Sequence, residues 1–154
     1  MIKSSRHSKI TGNFGEALIL YWLSKSGFEC ALVDHTGIDI SARSPTSKEV
    51  LGISVKSRSR NLGTEGTHLA VKKSDLEKAR QACVSFGCKP YYAFVVDTND
   101  RVRCYLLSLR HLLKIYPGGP KVLAWQMSAP RVKRYAMDPY IRHFELLSAT
   151  SHWW

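Results

Sequence analysis

The spacing of apolar positions changes along this chain, and the changes divide it into elements. From Phe14 to Ser26 the apolar residues predict a helix, and because Ala17 to Leu23 is apolar nearly all round, one buried on most sides. Thr11-Gly12-Asn13 offers caps before it and Gly27 a stop after it. Phe28 to Val33 then reads as a strand. Two β-branched arms follow, Ile38 to Ala42 and Val50 to Lys56, around the turn residues Ser44-Pro45-Thr46-Ser47, which is the pattern of a hairpin. Ser74-Asp75-Leu76-Glu77 has the form of a capping box and predicts a helix to about Phe86, closed by Gly87, with Leu76, Ala79, Cys83 and Phe86 facing the core. The apolar run Tyr91 to Asp97 reads as a buried central strand. Thr98-Asn99-Asp100 turns it back into Val102 to Leu107, and Ser108 caps a short helix through Ile115.

That order, α-β-β-β-α-β-β-α, with the helix from Ser74 crossing between strands, predicts an α/β fold: a mixed sheet flanked by helices. Beyond Pro117-Gly118-Gly119-Pro120 the pattern is less regular. Val122 to Met127 is expected as an edge strand, and Asp138-Pro139 reads as the N-cap and first position of a helix reaching about Leu147. The expected organisation is a flexible basic arm over residues 1–10 and a single domain over 11–154, with a basic C-terminal extension from about 117.

Composition narrows the classes. With 154 residues, 44% of them hydrophobic and 23% charged, the chain suffices for one domain with its own core. The apolar run Leu18 to Leu23 is far short of the ~20 residues of a membrane span, and no signal-peptide pattern precedes it, so a cytoplasmic protein with no membrane partner is expected. Cys30, Cys83, Cys88 and Cys104 lack the spacing of a zinc site or a disulfide framework. Lys and Arg number 23 against 12 Asp and Glu, a net charge of +11, which points to a polyanionic partner. RNP-type aromatic strands and GXXG loops, the marks of common RNA binders, are not found.

Candidate chemistry concentrates in the hairpin. Asp39 lies between Ile38 and Ile40, where a strand disfavours it, and Lys56 ends the apolar second arm. A carboxylate beside an ammonium at strand ends is the skeleton of a metal-assisted phosphodiesterase. Side chains alternate along a strand, so Arg58 and Arg60 extend the face of Lys56 and are placed to hold phosphates. The glycine-containing segment Asn61 to Thr67 reads as a mobile loop beside them, and His68 follows it. Farther on, Arg131, Lys133 and Arg134 with Tyr135 mix cations with an aromatic ring, suiting a nucleic-acid backbone groove. His152-Trp153-Trp154 hints at a homodimer, because a pair of terminal tryptophans seeks burial.

Phe14-Gly15-Glu16 opening an apolar helix, then Gly27-Phe28, Gly37-Ile38-Asp39 and Ser54-Val55-Lys56, resemble the PD-(D/E)XK nuclease superfamily over roughly residues 11–97. Their ordering is most similar to archaeal-type Holliday junction resolvases and related small phage or prokaryotic nucleases. The resemblance implies a restriction endonuclease-like core and DNA cleavage with Mg²⁺ or Mn²⁺. Asp39 would be a metal ligand, Glu16 an accessory ligand or orienter, and Lys56 the group that orients or activates water. One position departs. The family's second acid, two residues before the lysine, is Ser54. Two expectations follow. In an active endonuclease, Ser54 acts through a water, or a carboxylate such as Glu65 supplies the charge, Glu49 having the wrong strand parity. Alternatively, the chain is a catalytically inactive nuclease-fold module that holds DNA or another subunit.

Overall fold

The structure, a computed structural model, describes residues 3–98, 100–117 and 121–148. Helix α1 (His7–Lys25) precedes three strands, β1 (Glu29–His35), β2 (Ile38–Arg43) and β3 (Val50–Ser59). Strand β4 (Leu69–Lys72) runs straight into α2 (Lys73–Ser85), followed by β5 (Lys89–Asp97) and β6 (Arg101–Ser108). The rest is α3 (Leu109–Ile115), β7 (Val122–Trp125), α4 (Ala129–Met137) and β8 (Arg142–Leu147). Six strands form one sheet in the order β1-β2-β3-β5-β6-β8, while β4 and β7 pair separately. Only β3 and β5 run parallel within the large sheet, because α2 lies in the crossover between them; the other pairings are antiparallel. The mixed sheet flanked by helices and the hairpin read from the sequence are both present.

The sheet separates two apolar layers. On one face Ile19 and Leu23 of α1 pack on Ile40, Ile53, Val55, Ala93 and Val95. The approach is close: a Cβ at Gly15 would fall 1.8 Å from Ser57 Oγ and 2.9 Å from Ser57 Cβ. The missing side chain thus lets the backbone of α1 lie against β3, which also sets the position of Glu16. On the other face Tyr92, Phe94 and Val96 meet Leu76 and Ala79 of α2, Leu112 of α3 and the small sheet. Trp125 of β7 is 0% exposed and sits between Phe94 and Tyr135, stacked on both at ring-centroid distances of 4.4 and 4.1 Å. Among the described residues after 117, Leu123, Trp125, Met127, Tyr135 and Ile141 are therefore part of the core.

Several boundaries differ from the sequence reading, each for a local reason. Helix α1 begins at His7, so the end of the expected arm is helical and Thr11-Gly12-Asn13 lies inside the helix. There Thr11 Oγ1 donates to the His7 carbonyl at 2.8 Å instead of capping. The capping box at Ser74 does not form. Helix α2 starts at Lys73, directly from β4, and the Lys73 amide is satisfied by the Lys121 carbonyl at 3.1 Å. Phe86 is exposed against the edge of His35, and Ala82 takes its place in the core. Ser108 does cap α3, accepting from the His111 amide at 3.1 Å.

The largest correction lies after Asp138. The expected helix to Leu147 is instead strand β8, which adds to the edge of β6, with Phe144 stacked on Trp22 at 4.0 Å and Leu146 packed on the α1 layer. The Phe144 and Leu146 alternation carries a period of two that the Asp-Pro signal concealed. The helix lies earlier, as α4, entered from Ser128 with Pro130 in its first turn. Strand β7 exists, but it pairs with β4, a segment to which the sequence reading gave no element. Asn99, Gly118-Gly119-Pro120 and His152-Trp153-Trp154 lie outside the described residues. Among the described residues no helix is long and apolar enough to cross a membrane.

Gly15→Ala is expected to destabilise the fold by about 1–3 kcal/mol through overpacking. The same change in a Ser57→Gly background should have less than half that effect, as read by denaturant unfolding in a double-mutant cycle.

Candidate active site

The β2–β3 ladder runs from Arg43 and Val50 to Ile40 and Ile53 and stops there. At its end the Val55 amide donates to Asp39 Oδ2 at 2.6 Å, so a side chain replaces the next backbone acceptor. The carboxylate is thereby fixed to β3 where the two strands part. Hydrogen bonds to a carboxylate are short and strong, which holds Asp39 with little rotamer freedom.

Lys56 follows Val55 on the opposite face, paired in the parallel ladder with Phe94. Its ammonium lies 3.5 Å from Asp75 Oδ2, with the two side chains 32% and 34% exposed. At that separation and exposure the pair adds under about 1 kcal/mol of stability, and its consequence is orientation. Asp75 stands in the first turn of α2, where a carboxylate also meets the positive end of the helix. Sequence reasoning saw Asp75 only inside a capping box; its approach to Lys56 depends on β4 and the crossover, which no local pattern announced.

Glu16 lies in the middle of α1, not in its first turn, so the helix N-terminus does not account for it. Its pKa is raised, first by burial and then by the charge of Asp39. The two carboxylates thus lie within electrostatic reach of each other, and neither has an ion-pair partner among the described residues. A hard divalent cation suits such a site, since Mg²⁺ binds through one or two carboxylates and keeps several waters. No group of three His, Cys, Asp or Glu converges among the described residues.

Ser54 is buried, in register with Tyr92 on β5. The Tyr92 hydroxyl is also buried and has no hydrogen-bond partner among the described residues. Burial raises its pKa, and the charges of Asp75 and Asp39 add to the rise against the lowering effect of the nearby Ser54 hydroxyl. The other acids read from the sequence do not replace Ser54 by visible contact. Glu49 is paired with Lys89, seven residues before Lys56 on the β3 side and so ~23 Å down the strand. Glu65 accepts the Gly63 amide at 3.0 Å within its own loop.

The expected cation row is divided. Arg58 is exposed just past Lys56. Arg60 donates through Nη2 to the Thr67 and His68 carbonyls at 3.2 and 2.7 Å, so it ties down the 61–68 loop. Burial and then the charge of Arg58 lower its pKa. Sequence reasoning did not name Lys3, whose ammonium donates to the Ser59 carbonyl at 2.8 Å and brings the N-terminal segment to this end of the sheet. His68 is exposed, with only its carbonyl engaged. Arg131 lies over the Tyr116 ring at 5.6 Å, while Lys133 and Arg134 line a separate groove with α3.

The fold these elements define, a mixed sheet flanked by helices, is consistent with a restriction endonuclease-like fold. The chain superposes on the Holliday junction resolvase Hjc of the archaeal hyperthermophile Archaeoglobus fulgidus with a TM-score of 0.55 and 20% sequence identity, covering 75% of this chain and 83% of that one. No family model matches the sequence. No curated protein matches it either.

Asp39→Asn keeps an acceptor for the Val55 amide, whereas Asp39→Ala leaves that amide unpaired. The alanine variant is therefore expected to lose about 1–3 kcal/mol against the asparagine variant in urea unfolding. Glu16 gives a pH signature. Its folded-state pKa is raised, so ionisation is disfavoured in the fold; the penalty is absent below the ordinary 4.5 and complete above the raised value. Glu16→Gln should accordingly raise the melting temperature at neutral pH and leave it unchanged below pH 4.5.

Proposed function

We propose that this protein is a metal-dependent nuclease acting on DNA, with branched DNA the substrate form suggested by its fold relative. The observation that carries this reading is the Asp39 carboxylate, anchored by the amide of Val55, the residue before Lys56, and with its charge felt at Glu16. Asp39 and Glu16 would hold Mg²⁺ or Mn²⁺, which when bound supplies charge neutralisation at the scissile phosphate. Lys56, steadied by Asp75, orients the attacking water or the phosphate oxygens. Asp75 also supplies a negative charge near the position that Ser54 leaves without one. Exposed Arg58, Lys3 beside Ser59 and Arg60 at the loop offer cations along the same end of the sheet, and the net charge of +11 favours a phosphate backbone.

A second reading, a nuclease-fold module that binds DNA without cutting it, is favoured by the burial of Ser54 and by the lack of a three-acid cluster among the described residues. A cleavage panel separates the two. Labelled duplex, four-way junction and single strand are incubated with Mg²⁺ or Mn²⁺. Under the nuclease reading at least one form is cut, and Asp39→Asn or Lys56→Ala lowers the rate by about 10²–10⁴-fold. Asp75→Ala lowers it by about 10–100-fold, as loss of an orienting partner does. Salt-sensitive binding with no metal-dependent cutting would establish the second reading instead.

A further inference from the structure

The cations that do not serve the catalytic end of the sheet are also organised. Helix α3 leaves the sheet from β6 at Ser108, which pairs with Tyr91, three positions down β5 from the partner of Lys56. That places the start of α3 roughly 10 Å along the strands and roughly 10 Å across them from Lys56. Between α3 and α4 lies an open groove of about 630 Å³. Its α4 wall is one helical face, since Pro130, Lys133, Arg134 and Met137 follow an i, i+3, i+4, i+7 spacing, while Tyr135 on the other face is buried in the core. Its α3 wall presents His111 and Lys114.

The polar groups of this groove are unevenly satisfied. Asp138 is engaged, with Oδ2 2.8 Å from His111 Nε2 and Oδ1 accepting the Tyr140 amide at 2.9 Å. Burial raises its pKa, but these hydrogen bonds and the nearby charges of His111 and Arg134 prevail and hold it below the usual value. Lys114, Lys133 and Arg134 make no ion pair among the described residues. Beside them Met137 is 84% and Tyr140 70% exposed, two large apolar surfaces at the rim of a basic groove. Cations alone would suit any polyanion. Cations with an exposed ring suit a strand whose bases are unstacked, because a duplex keeps its base faces inside.

We infer that the α3–α4 groove is a binding site for single-stranded nucleic acid, with Lys114, Lys133 and Arg134 on the phosphates and a base against Tyr140 and Met137. This goes beyond the proposed nuclease reading and does not depend on it. The test uses full-length protein in EDTA, so that cleavage does not intervene, with a labelled oligothymidine strand, a labelled duplex and free thymidine monophosphate. The double variant Lys133→Ala/Arg134→Ala is expected to weaken oligothymidine binding roughly tenfold or more. It should also lower the slope of log affinity against log salt by about 1.4, two phosphate contacts at about 0.7 each. Tyr140→Ala should weaken the same strand roughly tenfold with the salt slope unchanged, by loss of one stacked base. Both changes sit on exposed side chains, and the melting temperature of each variant checks that the fold is intact.

Oligothymidine affinity equal to the parent's in the two variants would overturn the proposal. So would equal losses on duplex and single strand with no effect of Tyr140→Ala, which would mark a general electrostatic surface. Thymidine monophosphate binding as tightly as the strand would also overturn it. Loss of Asp39-dependent cutting in the cleavage panel leaves this groove standing, and groove variants that bind normally leave the nuclease reading standing.

Discussion

The arrangement at one end of the sheet depends on the hydrogen bond from the Val55 amide to Asp39. Where the β2–β3 ladder ends, an amide of a buried strand is left without a backbone acceptor, and burying it unpaired costs about 1–3 kcal/mol. A carboxylate meets that need and is itself fixed by it. The site's central charge therefore has the positional precision of the backbone, and the adjacent Lys56 inherits it. The same bond brings the Asp39 charge toward Glu16, which Gly15 has allowed to approach the sheet. One interaction thus closes a strand end and sets two acids within electrostatic reach of each other.

What the sequence made legible was local. Asp39 stood out because an acid between two isoleucines is costly in a strand, and Lys56 because it ended an apolar run. Their places at the strand ends of one hairpin related them without any tertiary knowledge. Gly15 was visible only as part of a short motif; the reason for it, the Ser57 hydroxyl across the helix–sheet interface, belongs to packing. Asp75 was misassigned because its role depends on where β4 delivers the chain, and β4 is defined by a partner more than fifty positions later in the sequence. The residues after Asp138 were misread because an Asp-Pro pair is a strong local signal, whereas β8 forms through the edge it finds on β6. Strand identity set by a distant edge leaves only a weak periodic trace.

Ser54 shows the limit of motif transfer in physical terms. Ser54 lies in the interior in register with Tyr92, whose hydroxyl is buried, and a carboxylate there would need compensation that a serine does not. The charge balance of the site is then shared differently. Lys56 takes Asp75 from the neighbouring helix as its partner, partly exposed and screened by solvent, in place of an acid on its own strand. This arrangement gives Lys56 an orienting partner on α2 and leaves few carboxylates for a metal, which is why metal dependence discriminates so sharply between a cutting and a non-cutting protein.

The C-terminal third links the core to the groove. Trp125 fills the space between Phe94 and Tyr135, so α4 is held against the domain by its apolar face regardless of what its other face carries. A helix needed only as a cover would be stable with any polar residues outward. Here the outward face instead carries Lys133 and Arg134 opposite Lys114, a concentration of like charge that the fold tolerates without ion pairs among the described residues. Like charges in one groove repel by Coulomb's law and are relieved by an anionic ligand, so the groove favours occupation in the same way that the Glu16–Asp39 pair favours a cation. Under the two proposals these sites carry opposite electrostatic demands, a divalent cation at the Asp39 carboxylate and phosphates among lysine and arginine in the groove, and a nucleic-acid strand with its counterions can meet both.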